Sequence, residues 1–220
     1  MADQDKEQAL DSMWNKYISP AYVKEDDSKK PKYFVKDIAN CDDKDVEIIL
    51  LCESPHEEEV KDLDPENNTP LVGSSGQSVA SFLFGENKID PIGKLVKERN
   101  SKLPKMAVVN VCNVPLQVID ANKTDVGDLS LDRMRNNCLI ISQLANNLKQ
   151  RLLKYTNAST IIVCGVFAKE YYETIKSCLS KQLKPLFVPH PARNQWEFVF
   201  NHKDDLQKVK DLFNKEETET

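Results

Sequence analysis

Residues 46–51 carry the kind of apolar run that a buried parallel strand needs: Val46, Ile48, Ile49, Leu50 and Leu51, broken only by Glu47. The run stops at Cys52-Glu53-Ser54-Pro55-His56, where a long polar loop begins. That loop closes on Thr69-Pro70-Leu71-Val72-Gly73-Ser74-Ser75-Gly76, a turn-rich stretch that feeds an amphipathic helix from about Gln77. In an open parallel sheet, ligands bind beyond the carboxyl ends of the strands. An acid, a histidine and several glycines therefore stand where chemistry is expected, although a long solvated surface loop has the same composition.

Three more strands follow from the same pattern: residues 105–111, 160–164 and 185–189. Between them lie helical patterns at 77–84, 90–98, 132–155 and 167–179, with a last one at 202–213. In the segment 132–155, Met134, Cys138, Ile141, Leu144, Ala145, Leu148 and Leu152 keep one face apolar. Pro91 suits the first turn of the second helix. Residues 1–20 read as a helix with Leu10, Met13, Trp14 and Tyr17 on one side, stopped by Pro20. Residues 24–32 are a charged connector, 33–38 a short edge strand or helical turn, and 117–129 a polar loop. Strands alternating with helices predict an α/β fold, with a mostly parallel sheet covered on both faces. The expected organisation is one domain over residues 1–220, with a helical extension over 1–40 and a frayed acidic tail over 214–220.

Composition narrows the function. No apolar run approaches the ~20 residues of a membrane span. The acidic N-terminus has no signal core, so the expected location is the cytoplasm and the 6 cysteines are expected to be reduced thiols. None of them forms a Cys-x-x-Cys pair, so no metal site is expected. The net charge of −5 argues against tight non-specific DNA binding, while leaving room for a local basic face.

Three strand ends present polar groups: Glu53, Asn110 and His190. In a parallel sheet these ends share one edge. A carboxylate orients water or offsets a cation, an amide reads both a carbonyl and an N–H of a heterocycle, and an imidazole stabilises an anion or donates a proton. Each also has a plain structural role, as a capping acid, a buried turn amide and a loop histidine.

The set is more specific than its members. Cys52-Glu53-Ser54-Pro55 with Pro70-Leu71-Val72-Gly73-Ser74-Ser75-Gly76-Gln77 resembles the first motif region of the uracil-DNA glycosylase superfamily, and most closely that of its iron–sulfur branch. Val109-Asn110-Val111 is similar to the family's strand-end asparagine, Ile161-Ile162-Val163-Cys164-Gly165 to its third strand, and His190-Pro191-Ala192 to its His-Pro-Ser motif. The four motifs follow the family's order across residues 46–193.

The resemblance implies a three-layer αβα sandwich with a central four-stranded parallel sheet, acting on a nucleotide flipped out of DNA. It implies hydrolysis of the bond between base and deoxyribose, whose transition state is positive on the sugar and negative on the base. Glu53 would orient water or offset the sugar cation, a role Glu57 or Glu58 could share. His190 would stabilise the departing base. Asn110 would read the base edge, with Leu71, Cys52, Ser54 and His56 lining the pocket. Gly73, Ser74, Ser75, Gln77, Pro191, Arg193, Gln195 and Trp196 would contact DNA, with Gln195 or Trp196 filling the vacated stack. Trp196 packing on the core is the ordinary alternative. The implied partner is DNA, with a monomeric enzyme and no cofactor.

The departures bear on substrate. The branch's cluster ligands are missing: Cys138 has no N-terminal pair of cysteines to accompany it. Leu71 stands where relatives place a phenylalanine that stacks on uracil, a platform worth about 1–3 kcal/mol per base. His56 and Glu57 replace residues that are usually small or aromatic. The altered pocket suggests uracil or a modified pyrimidine, including hydroxymethylated or glucosylated cytosine of phage DNA, so repair and defence both stand. A non-catalytic DNA- or nucleotide-binding module is the second reading. An unrelated α/β hydrolase acting on a small nucleotide or glycoside is a third, but there is no Gly-x-Ser-x-Gly elbow and no phosphate-binding Gly-x-x-x-x-Gly-Lys.

Overall fold

The computed structural model describes residues 34–60, 67–85, 88–113, 138–200 and 204–214. The helix expected over 1–20, the connector at 24–32, the loop at 117–129 and the tail beyond 214 lie outside the described residues. Five strands form one sheet: β1 (Ile38–Ala39), β2 (Ile48–Cys52), β3 (Met106–Asn110), β4 (Thr160–Cys164) and β5 (Lys184–Val188). Their order is β1-β3-β2-β4-β5. β3, β2, β4 and β5 run parallel, and β1 pairs with β3 antiparallel. The fold is α/β.

The sheet is therefore mixed, which corrects the expectation of a purely parallel four-stranded sheet. Of the two readings of residues 33–38, an edge strand or a helical turn, the short edge strand is present, at Ile38–Ala39. The reason is the open edge of β3. Ile38 and Ala39 pair with Val108 and Ala107, and the Asn40 side chain bonds Pro104 O at 2.8 Å and Met106 N–H at 2.8 Å. A short strand covers groups that an edge would leave unpaired.

Alternation along the strands sends side chains to two cores. On one face Ile49, Leu51, Ala107, Val109, Ile161 and Val163 meet α3 (Cys138–Leu152) and α4 (Gly165–Ile175). On the other, Ile48, Leu50, Val108 and Ile162 meet four helices. These are α1 (Ser74–Phe84), α2 (Ile92–Lys97), α5 (Gln195–Val199) and α6 (Asp204–Phe213). The helix at 167–179 starts earlier than its pattern suggested, at Gly165, and tightens into a 3-10 turn over Lys176–Cys178.

Two glycines let helices close on the turn before α1. A Cβ on Gly76 would stand 1.7 Å from Leu71 O, and one on Gly93 would stand 1.8 Å from Pro70 O. Between them Leu71 is held in a left-handed conformation, φ 55°, which costs a non-glycine residue about 1–3 kcal/mol.

Candidate active site at the carboxyl edge of the sheet

The parallel register sets the geometry. Cys52 pairs with Asn110, Leu51 with Val163 and Cys164 with Val188. Glu53, Asn110, Gly165 and His190 therefore lie along one edge, in the strand order Asn110, Glu53, Gly165, His190. From β3 to β5 are three interstrand steps, roughly 14 Å at about 4.8 Å each. Beyond the strand ends the backbone stays tied: Val111 N–H bonds Cys52 O at 2.8 Å and Cys112 N–H bonds Glu53 O at 3.0 Å. Glu53 is half-buried.

Asn110 continues the face of Met106 and Val108, which α1 and α2 cover. It is 2% exposed. Its backbone carbonyl is capped by Arg151 Nη2 at 2.7 Å.

His190 is held on the far side. Gly165 stands at the sharp turn from β4 into α4 with φ 86°, and a Cβ there would lie 3.2 Å from His190 Cβ. His190 Nδ1 accepts the Ala192 N–H at 3.2 Å. Burial lowers the imidazole pKa from 6.5, so the ring is neutral at pH 7 with its proton on Nε2. A neutral Nε2–H is a hydrogen-bond donor toward an electron-rich oxygen or nitrogen.

Several expected contacts are placed elsewhere. Trp196 is fully buried, bonds Pro189 O through Nε1 at 2.8 Å and packs edge-on against Phe82 at 5.6 Å. It anchors the chain just before His190 and cannot fill a vacated base stack. Leu71 and Cys52 are 5% and 3% exposed, packed within the α1-side core. The Cys164 thiol, hydrogen-bonded to Cys52, is pushed well above the usual range, mainly by burial. Gln77 Nε2 is spent on Ile89 O at 2.6 Å, and Pro191 is buried. Gly73, Ser54 and Ser75 are half-buried; His56, Ser74, Arg193 and Gln195 are exposed. The side chains of Glu57 and Glu58 lie outside the described residues.

Two residues emerge that the sequence reading passed over. Phe198, on α5, is 78% exposed one turn beyond Gln195. Its signal was the pairing of two aromatics in Gln195-Trp196-Glu197-Phe198, of which one faces out. Glu59 is 5% exposed in the 3-10 turn Glu57–Val60, and its Oε2 accepts the His56 N–H at 3.4 Å. The apolar Val60 after the acidic run marks where that turn points inward.

The corner after His190 is strained: Arg193 and Asn194 take φ 58° and 54° in succession. Cavities of about 640 and 470 Å³ lie elsewhere, one beside Val166 and Lys169 on α4, the other at the amino ends of β4 and β5. Among the described residues no group of His, Cys, Asp and Glu is arranged to hold a metal ion, and no helix is long and apolar enough to cross a membrane. No protein-family model matches the chain, and no curated protein matches it significantly.

Proposed function

We propose that the chain is a DNA glycosylase that hydrolyses the N-glycosidic bond of a flipped-out uracil or modified pyrimidine and leaves an abasic site. The observation that supports the reading is that Glu53, Asn110 and His190 lie along one sheet edge, with the Asn110 amide at a strand end and an imidazole kept neutral with its proton on Nε2. Departure of the base leaves negative charge on it, which an Nε2–H donor stabilises without first losing a proton. The sugar becomes cationic, which the Glu53 carboxylate offsets while it orients water. Asn110 offers one donor and one acceptor to the base edge. The exposed aromatic among the described residues that could fill the vacated stack is Phe198, and Arg193, exposed in the preceding turn, is a candidate for phosphate.

The test is base release. The full chain is incubated with DNA holding uracil opposite guanine or adenine, single-stranded uracil, and DNA with hydroxymethylated or glucosylated cytosine. Abasic sites are cleaved with alkali and the freed base is identified by mass spectrometry. Glu53→Gln and His190→Gln are expected to lower release on the order of 100-fold or more. Release from uracil DNA indicates repair, and release only from modified DNA indicates defence. No release from any of these DNAs by the folded protein overturns the reading.

One observation favours a binding module instead. Leu71 is packed into the core, which removes a stacking platform for the base. That reading expects saturable DNA binding that survives Glu53→Gln, with no freed base.

A further inference from the structure

We infer that Arg151 is a positioning residue for Asn110, working with Asp37 as a clamp on the end of β3. The inference rests on the base-reading role proposed for Asn110.

Arg151 donates five hydrogen bonds to described residues. Nε bonds Asn147 Oδ1 at 2.6 Å. Nη1 bonds Asp37 Oδ1 and Oδ2 at 2.7 and 2.9 Å. Nη2 bonds Asn110 O and Val111 O at 2.7 and 2.9 Å. The Asp37 side chain is 5% exposed and that of Arg151 17%, so the pair is largely shielded from water. Asn113 closes the ring, with Nδ2 on Val35 O at 2.6 Å and on Asp37 Oδ1 at 3.2 Å.

The clamp solves a local problem. β1 covers β3 at Ala107 and Val108, and among the described residues no strand pairs the next carbonyls on that side. Arg151 caps the carbonyl of Asn110, the strand-end amide residue, and that of its successor. The backbone at Asn110 is then fixed from both sides, by Arg151 on one and by the Val111 and Cys112 N–H bonds to β2 on the other. A planar fork does this and an ammonium does not, because lysine has three donors and no bidentate geometry. A misplacement of about 1 Å at a reading group costs on the order of 100-fold in rate.

The test is a double-mutant cycle with single-turnover base release, on the DNA that the wild-type chain cleaves. R151K is expected to slow release on the order of 100-fold while DNA affinity stays within about twofold. The double variant R151K/N110A is expected to be no slower than N110A alone, because Arg151 acts through Asn110. An unchanged rate in R151K, or losses that multiply in the double variant, overturns the inference. D37N keeps the shape of the clamp and serves as the second variant should R151K fail to fold; it is expected to slow release in the same sense. An arm independent of activity follows the Asn110 carboxamide in 15N-labelled protein, assigned by its disappearance in N110A. In R151K, or in D37N where that variant stands in, its signals are expected to shift and broaden, and a carboxamide that does not move overturns the inference. If the wild-type chain frees no base from any DNA, the glycosylase reading fails, while the carboxamide arm still decides whether Arg151 positions Asn110.

Discussion

Gly165 and His190 meet so closely that a Cβ on the glycine would stand 3.2 Å from the Cβ of the histidine. β4 turns into α4 at this point with φ 86°, a conformation that side chains rarely adopt. The absence of one methyl group therefore serves both the turn and the seat of the imidazole.

Replacing Gly165 with alanine is expected to destabilise the fold by about 1–3 kcal/mol through the strained φ. Urea unfolding measures that loss. Histidine resonances should move at the same time, because the new methyl presses on His190; a variant with native stability and an unmoved His190 would show that the contact is slack.

His190 gives stability a definite pH slope. Its folded pKa lies below 6.5, so the unfolded chain takes up a proton first as pH falls. The unfolded state binds more protons between the two values, and stability therefore rises with pH across that window. The contribution is fully present above about pH 6.5 and is lost as pH falls below it. Compared with His190→Gln, the wild-type chain should lose more stability between pH 7.5 and 5.5. Parallel unfolding curves for the two proteins would contradict this.

The two aromatics of α5 should separate cleanly. Trp196→Ala empties a fully buried site and should cost about 3–5 kcal/mol. Phe198→Ala removes a ring that is 78% exposed and should change stability by no more than about 0.5 kcal/mol. Under the glycosylase reading Phe198→Ala still weakens duplex DNA binding and base release, whereas a bystander ring leaves both unchanged.

Thiol labelling should follow burial. Cys178 is exposed, whereas Cys52, Cys112 and Cys164 are buried. Cys41 is intermediate, and its thiol is raised by burial and then by Asp45, so it should react more slowly than Cys178. Maleimide followed by mass spectrometry should mark Cys178 before the other four described cysteines in the native protein, and the three buried thiols only after denaturant. Early labelling of Cys164 would mean that the strand ends open to solvent.

Much of the fold was legible because strands and helices announce themselves within a few residues. The strand at Thr160–Cys164 matches its sequence pattern end to end, and the other parallel strands are shifted by two residues or fewer. Glu53, Asn110 and His190 could be named because each directly follows or ends an apolar run. Trp196 and Phe198 could not be told apart, since a five-residue helix is too short for periodicity to assign its faces.

By itself the sequence determined where the strands lie and which polar residues end them, because alternation and apolar runs are local properties of the chain. Only the tertiary structure decided which groups share a site or a clamp. The edge strand or helical turn left open at 33–38 became a strand at Ile38–Ala39 because β3 offered an open edge. Leu71 turned inward because Gly76 and Gly93 let two helices close on it. Arg151 reached Asp37 across 114 positions, a partnership that chain folding creates and no local pattern encodes.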